Sequence, residues 1–220
     1  MNTTVIFIIA CTASYLLGAV PFGFIFAKAK GVDIRTVGSK NIGATNVFRS
    51  VSKALGIITF ICDVIKGFVP AFLFPLIAMK FSAGDGPPAG QSLPVLCACF
   101  AVAGHNWPVY LKFKGGKGVA TSAGALLGIA PAPLGIGLAV WIVVFALSKY
   151  VSLASITASL IIPAAGWILA FIHSPYIPRG YLIPILLTIL GLVSIWRHKA
   201  NIKRLFEGTE NRFVSGQRIN

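Results

Sequence analysis

Residues 119–148 read VATSAGALLGIAPAPLGIGLAVWIVVFALS, an apolar stretch without a single charged side chain. A helix needs about 20 such residues, at ~1.5 Å each, to cross ~30 Å of hydrocarbon. This stretch is longer, and Pro131 and Pro133 interrupt it. Proline removes a helical hydrogen bond and clashes with the preceding turn. The stretch is therefore either one long span or a hairpin bent at Pro131–Pro133. The basic residues choose between them. Six Lys and Arg lie in 28–53, three in 112–117, one at Lys149 and six from Arg197 onward. A hairpin leaves all of these on one side, whereas a single span puts the tail opposite the other clusters. Cytoplasmic segments collect Lys and Arg, so a hairpin is expected. Its arms reach only ~20–24 Å, which makes them re-entrant or fitted to a thinned bilayer.

The rest of the chain agrees with a membrane setting. Of 220 residues, 56% are hydrophobic and only 11% charged, with mean hydropathy +0.86. That excludes the surface of an ordinary soluble domain. Further apolar runs occupy 4–27, 54–79, 93–111, 152–172 and 181–197. With the two hairpin arms they predict an all-α polytopic membrane protein. The expected form is a seven-helix bundle, N-terminus outside and C-terminus cytoplasmic, some helices short, in a single domain over 1–220. The N-terminus, Met-Asn-Thr-Thr, lacks a positive n-region and leads into a run too long for a signal peptide, so it is expected to stay as the first span. Gly-Asp-Gly-Pro-Pro within 80–92 reads as an exposed turn. Nineteen basic residues oppose five acidic ones. In a soluble protein this excess would suggest nucleic acid; here the orientation bias accounts for most of it, and no nucleic-acid partner is expected. Cys11, Cys62, Cys97 and Cys99 lie in apolar runs and read as small core hydrophobes, with no disulfide or metal site.

Three polar clusters stand out. In the loop 28–52, residues 38–49 run Gly-Ser-Lys-Asn-Ile-Gly-Ala-Thr-Asn-Val-Phe-Arg. Gly38 and Gly43 permit tight turns. Ser39, Asn41, Thr45 and Asn46 offer short hydrogen-bonding groups, and Arg49 adds charge. Such a set suits a phosphate. The second cluster, Lys112-Phe-Lys-Gly-Gly-Lys-Gly118, precedes a helix expected from Val119. A helix N-terminus favours anions; Gly115, Gly116 and Gly118 allow close approach and Lys117 supplies charge. It lacks the spacing of a Walker loop. The alternative is a basic turn on anionic lipid headgroups. The third cluster, Arg197-His-Lys-Ala-Asn-Ile-Lys-Arg204, continues the last helix, with His198 and Asn201 on one face and Arg197 and Arg204 pointing elsewhere. It too could be a juxtamembrane helix on lipid. His105, beside Asn106, is expected either to line a site or to cap its helix in the interfacial belt. Asp63 and Lys66, three apart in an apolar run, are either functional or an i,i+3 ion pair.

No Gly-x-Ser-x-Gly elbow is present, and no His-x-x-x-x-Asp pair of the kind used by thioester-dependent acyltransferases. What remains is a cation-rich, acid-poor pocket for phosphorylated substrates, formed where the three clusters converge on the cytoplasmic side. A transporter of phosphorylated organic anions is the rival reading, disfavoured because no inverted repeat of broken helices is visible.

Gly-Ser-x-Asn-x-Gly-Ala-Thr-Asn with Arg49, then His105-Asn-Trp before Phe-Lys-Gly-Gly-Lys-Gly, then Arg-His-x-x-Asn-Ile-x-Arg-Leu-x-x-Gly-x-Glu, appear in order. The chain thereby resembles the bacterial acyl-phosphate-dependent glycerol-3-phosphate acyltransferases. Lys40 and Ile42 stand where that family often has Gly and Pro. The resemblance implies acyl transfer from acyl phosphate to the primary hydroxyl of glycerol 3-phosphate, yielding lysophosphatidic acid and phosphate without a cofactor or metal. It implies a multi-pass protein of the bacterial inner membrane with a cytoplasm-facing site. Membrane lipids, and contact with the peripheral enzyme that makes acyl phosphate, are the implied partners. Ser39, Arg49, Lys117, His198 and Asn201 are then the expected catalytic residues. Gly38, Asn41, Gly43, Thr45, Asn46, Gly115, Gly116, Gly118 and Asn106 are the expected binding residues.

Overall fold

The computed structural model describes residues 2–81 and 91–213, and all regular structure among them is helical. Most of the 80–92 turn lies outside the described residues. The chain falls into two compact units that meet in sequence at Ile129 and Ala130.

The first unit opens with α1 (Thr3–Ala19) and α2 (Phe22–Ala29). They form one apolar run of 27 residues broken at Val20 and Pro21. The cause is local: Pro21 has no N–H and holds Val20 extended, at φ −59° and ψ 116°. The loop 28–52 is not wholly irregular as expected, because Ala44–Ser50 forms the short helix α3. Gly43, extended at φ −74° and ψ 162°, starts it. Next come α4 (Lys53–Phe68) and α5 (Phe74–Phe81), joined by a π-helical turn over Val69–Leu73. The wide turn falls at Pro70, where an α ladder would lack a donor; the Phe74 N–H reaches back to the Val69 carbonyl instead. α6 (Ser92–Asn106) packs along α1, and α7 (Val119–Ile129) along α4. The α1–α6 contact is backbone to backbone. A Cβ on Gly18 would overlap the Ala101 carbonyl, and one on Gly104 the Tyr15 carbonyl. Small residues at helix crossings let membrane helices gain van der Waals contact without an aqueous driving force.

The second unit holds α8 (Pro131–Ser148), α9 (Val151–Phe171), α10 (Leu182–Arg197) and α11 (Lys199–Phe206). Lys149, left-handed at φ 62°, reverses the chain between α8 and α9. Trp141 Nε1 donates to Ser155 Oγ at 3.1 Å across that pair, and Ser159 Oγ donates to Ser194 Oγ at 2.8 Å between α9 and α10. These bonds satisfy polar groups that lipid could not. α11 does not continue α10 as expected but turns from it by 56° at His198.

The ambiguous stretch 119–148 is indeed two helices, but the break lies at Ala130, one residue before the expected bend. Pro131 takes the first position of α8, where its missing N–H leaves no bond unmade. Thr3–Ala29, Lys53–Phe81, Pro131–Ser148 and Val151–Phe171 are long and apolar enough to cross a membrane, and α10 with α11 makes a fifth if counted as one bent span. α6 and α7, at 15 and 11 residues, are shorter than a full crossing. Large apolar side chains point outward along these helices, Leu147 and Phe171 each 80% exposed. Lipid, not water, is the solvent such a surface fits.

The packing gives a sharp contrast between two helical glycines. Gly18→Val should lower the unfolding temperature in detergent, since overpacking costs about 1–3 kcal/mol. Gly135→Ala, whose Cβ meets nothing within 4 Å, should leave that temperature unchanged or raise it slightly.

Candidate functional site

The first polar loop is built around Asn46, which is buried on α3. Its Oδ1 accepts from the Ser39 N–H at 3.0 Å and the Ser50 hydroxyl at 3.2 Å. Its Nδ2 faces the carbonyls of Ile34, Val37 and Asn41 at 3.2, 3.1 and 2.9 Å. The amide expected to bind phosphate thus ties the loop together and sets the backbone at Ser39. Ile34, Ile42, Val47, Ala27 and Leu111 form the apolar floor beneath it. Ser39 and Lys40 are exposed, while Asn41, Gly43, Thr45 and Arg49 are half-buried. Gly38 and Lys40 are both left-handed, at φ 55° and 59°. At position 40 glycine would adopt that shape without strain and lysine does not. At the near end Arg35 grips Asp33 at 2.9 and 2.7 Å, and these hydrogen bonds hold the Asp33 carboxyl down at about 2.

The second cluster folds back over the end of α6. Trp107 and Pro108 end that helix, Lys112 and Phe113 turn left-handed, and the Gly116 N–H reaches the His105 carbonyl at 3.1 Å. The approach is so close that a Cβ on Gly116 would overlap His105 Nε2. A Cβ on Gly118 would lie 2.8 Å from Asn106 Oδ1. Gly118 (φ 78°) leads into α7, with Gly115 and Lys117 half-buried beside it. Beneath the glycines, both amide atoms of Asn106 and the Thr121 hydroxyl are buried and make no hydrogen bond.

His105 is not the interfacial belt residue that one expectation allowed. It is only 5% exposed, and its Nδ1 lies 3.7 Å from Asp63 Oδ1 on α4. The Asp63–Lys66 pair forms as its spacing implied, at 2.8 Å, both side chains buried. Lys66 Nζ also donates to the Val20 carbonyl at 2.7 Å. The cluster thus spans α4, α6 and the break between α1 and α2.

The third cluster sits in the second unit. His198 is buried at the bend, with Nδ1 2.8 Å from the Ser194 carbonyl, so Nδ1 carries the hydrogen. Asn201 donates from Nδ2 to Glu210 Oε1 at 2.7 Å, and Arg204 from Nε to Glu210 Oε2 at 2.7 Å. Arg204 therefore shares a focus with Asn201 and does not point away as expected. Three residues apart on a helix, both reach one carboxylate. Ser152 of α9 completes the set at 2.8 Å. Burial alone would raise the Glu210 carboxyl, but the bonds from Asn201, Ser152 and Arg204 outweigh it and hold it below the usual glutamate range. Among the described residues no three His, Cys, Asp or Glu side chains gather as metal ligands.

Residues 8–208 match the family model described as glycerol-3-phosphate acyltransferase. The chain belongs to that family. It is 44% identical over 202 residues to the glycerol-3-phosphate acyltransferase of Methylobacillus flagellatus, covering 91% of this chain and 94% of the relative. It also resembles the crystal structure of PlsY (YgiH), an integral membrane glycerol 3-phosphate acyltransferase, in its glycerol 3-phosphate form. There the TM-score is 0.79 at 38% identity, over 95% of this chain and 96% of that one. The lysophosphatidic acid form of the same enzyme matches with a TM-score of 0.76, at the same identity and coverage.

As a member of the glycerol-3-phosphate acyltransferase family, the chain carries two features that residue reading passed over. Glu210 ends the third motif, and an acidic residue in so acid-poor a chain was the available signal. The His105–Asp63 contact had none, because 42 positions separate the two in sequence. Two outcomes follow from this geometry. Gly116→Ala should lower acyl transfer at least tenfold while the protein stays folded, because the glycine loop must lift off His105. Glu210 has a depressed folded pKa, so its contribution to stability is complete above 4.5 and disappears as pH falls through the lower folded value. Glu210→Ala should thus melt below wild type at pH 7, and the gap in detergent melting curves should close at acid pH.

Proposed function

We propose that the protein transfers a fatty acyl group from acyl phosphate to the primary hydroxyl of glycerol 3-phosphate. The products are lysophosphatidic acid and inorganic phosphate. The observation that carries this reading is the glycine loop folded over the end of α6 and running, with Lys117, straight into α7 in a lipid-facing helical protein. Backbone N–H groups at such a helix start, with an adjacent cation, suit a phosphate dianion. Family membership and the likeness to an acyltransferase in its glycerol 3-phosphate form support the acceptor. The likeness to its lysophosphatidic acid form supports the product. The lack of a His-x-x-x-x-Asp pair favours acyl phosphate over a thioester as donor.

In this reading the whole chain is one membrane-embedded acyltransferase domain of the bacterial inner membrane. It is a seven-helix bundle with some helices short, the N-terminus outside, the C-terminus in the cytoplasm and the motifs facing the cytoplasm. The acceptor oxygen attacks the acyl carbonyl carbon, the carbon–oxygen bond to phosphorus breaks, and phosphate leaves with the electron pair. The mixed anhydride is already activated, so no covalent enzyme intermediate is needed. Two phosphates must be held side by side, and positioning the hydroxyl against the carbonyl can contribute ~7–11 kcal/mol. Arg49 and Lys117 clamp phosphate, with Gly38, Asn41, Gly43, Thr45, Asn106, Gly115, Gly116 and Gly118 around them. Ser39 and loop N–H groups stabilise the charge that develops. His198 and Asn201 orient glycerol 3-phosphate, and Asn201 is itself held by Glu210. The acceptor proton goes to His198 Nε2 or to the leaving phosphate. The Nδ1 contact to Ser194 supports the first, since it makes Nε2 the basic nitrogen. Membrane lipids surround the site, and the peripheral enzyme that makes acyl phosphate delivers it there.

The purified protein, given glycerol 3-phosphate and either a long-chain acyl phosphate or the matching acyl thioester, should release phosphate and form lysophosphatidic acid only from the former. Equal product from the thioester would sink the donor assignment. His198→Ala should reduce turnover at least a hundredfold; near-normal turnover would leave the leaving phosphate as the base. Liposomes holding the protein should show no counterflow of labelled glycerol 3-phosphate without acyl phosphate.

A further inference from the structure

Asp63 and Lys66 carry no role in the chemistry above, yet they sit deep in an apolar helix where charge is costly. As an ion pair they already balance one another at 2.8 Å. Lys66 has a second task, donating at 2.7 Å to the Val20 carbonyl at the Pro21 break, which the Phe22 N–H also reaches at 3.1 Å. Asp63 has a different second neighbour. His105 enters from α6, and its two ring nitrogens face in different directions. Nδ1 lies toward Asp63, and Nε2 lies directly under Gly116 of the glycine loop. The backbone of the same residue holds the loop again, through the bond from the Gly116 N–H to the His105 carbonyl. All of these residues belong to the first unit.

We infer that Asp63 is a positioning residue for acyl transfer, acting on the Gly115–Gly118 loop through the His105 ring. At 3.7 Å the Asp63 carboxylate stands beyond hydrogen-bond reach of Nδ1 in this structure, and it acts through its charge, which favours the tautomer that carries its hydrogen there. Nε2 is then the acceptor nitrogen beneath the loop, and the ring orientation sets how far the loop stands from α6. Lys66 pairs with Asp63 inside the bundle at 2.8 Å. The charge pair on α4 therefore reaches the loop through His105 of α6, without touching substrate. The role in acyl transfer rests on the function proposed above; the role in orienting His105 does not.

The test compares four full-length proteins in detergent: wild type, Asp63→Asn, Lys66→Met and the double variant. Each single change leaves a buried charge unbalanced and should lower the melting temperature. The double variant removes both charges and should recover most of that loss. If Asp63 only balances Lys66, the double variant should also recover the wild-type KM for glycerol 3-phosphate. The inference instead expects that KM to stay raised at least fivefold, with kcat altered less than KM. A double variant within twofold of the wild-type KM overturns it. A second measurement decides the matter even if the double variant folds poorly. In wild-type protein with 15N-labelled histidine, the resonance lost on His105→Asn should show a hydrogen on Nδ1 and none on Nε2. The opposite tautomer overturns the inference. Should wild type fail to use acyl phosphate, the proposed function falls while the tautomer result still stands or fails by itself.

Discussion

Inside a bilayer a broken helix must find internal partners for the backbone groups it releases, and in this protein the Val20 carbonyl at the Pro21 break takes two, the Phe22 N–H and the Lys66 amine of α4. The amine brings a charge, and the charge brings Asp63 one helical turn away. Asp63 in turn faces the histidine on which the glycine loop rests. A single proline in α1–α2 is therefore connected, through satisfied polar groups, to the shape of a loop far along the chain. Phe22, just past the break, adds its ring 5.6 Å from the Lys66 amine.

The second unit solves a similar problem with one carboxylate. Glu210 gathers Ser152 of α9 with Asn201 and Arg204 of α11, two helices that the sequence separates by about 50 residues. Both units thus hold an acidic side chain among internal partners, Asp63 with Lys66 and Glu210 with Ser152, Asn201 and Arg204, while Asp33 and Glu207 pair with basic neighbours nearer the surface. Asn46 likewise works within the protein. Its side chain shapes the loop that presents Ser39 and serves as an internal strut.

Much of the fold was legible because lipid restricts the options. Long apolar runs must be helices, and proline marks where they break. The split of 119–148 into two helices was legible from its prolines and from where Lys and Arg lie along the chain. Its position at Ala130 did not, because whether proline ends one helix or begins the next depends on what the preceding carbonyls meet. The bend at His198 was illegible for a similar reason: the residues of 197–204 are all compatible with a continuing helix, and the turn of α11 goes with its Asn201 and Arg204 bonds to Glu210, which Ser152 of α9 also holds.

Residue types and their spacing were enough to name the membrane class, the three polar motifs, the glycines that permit close approach and the i,i+3 pairing of Asp63 with Lys66, because these follow from local geometry and transfer energetics. Tertiary structure alone decided that His105 belongs with Asp63, that Arg204 turns toward Asn201, and that Asn46 is consumed within its own loop. Those outcomes depend on which helices and turns lie side by side, and that is settled by packing between segments far apart in the sequence.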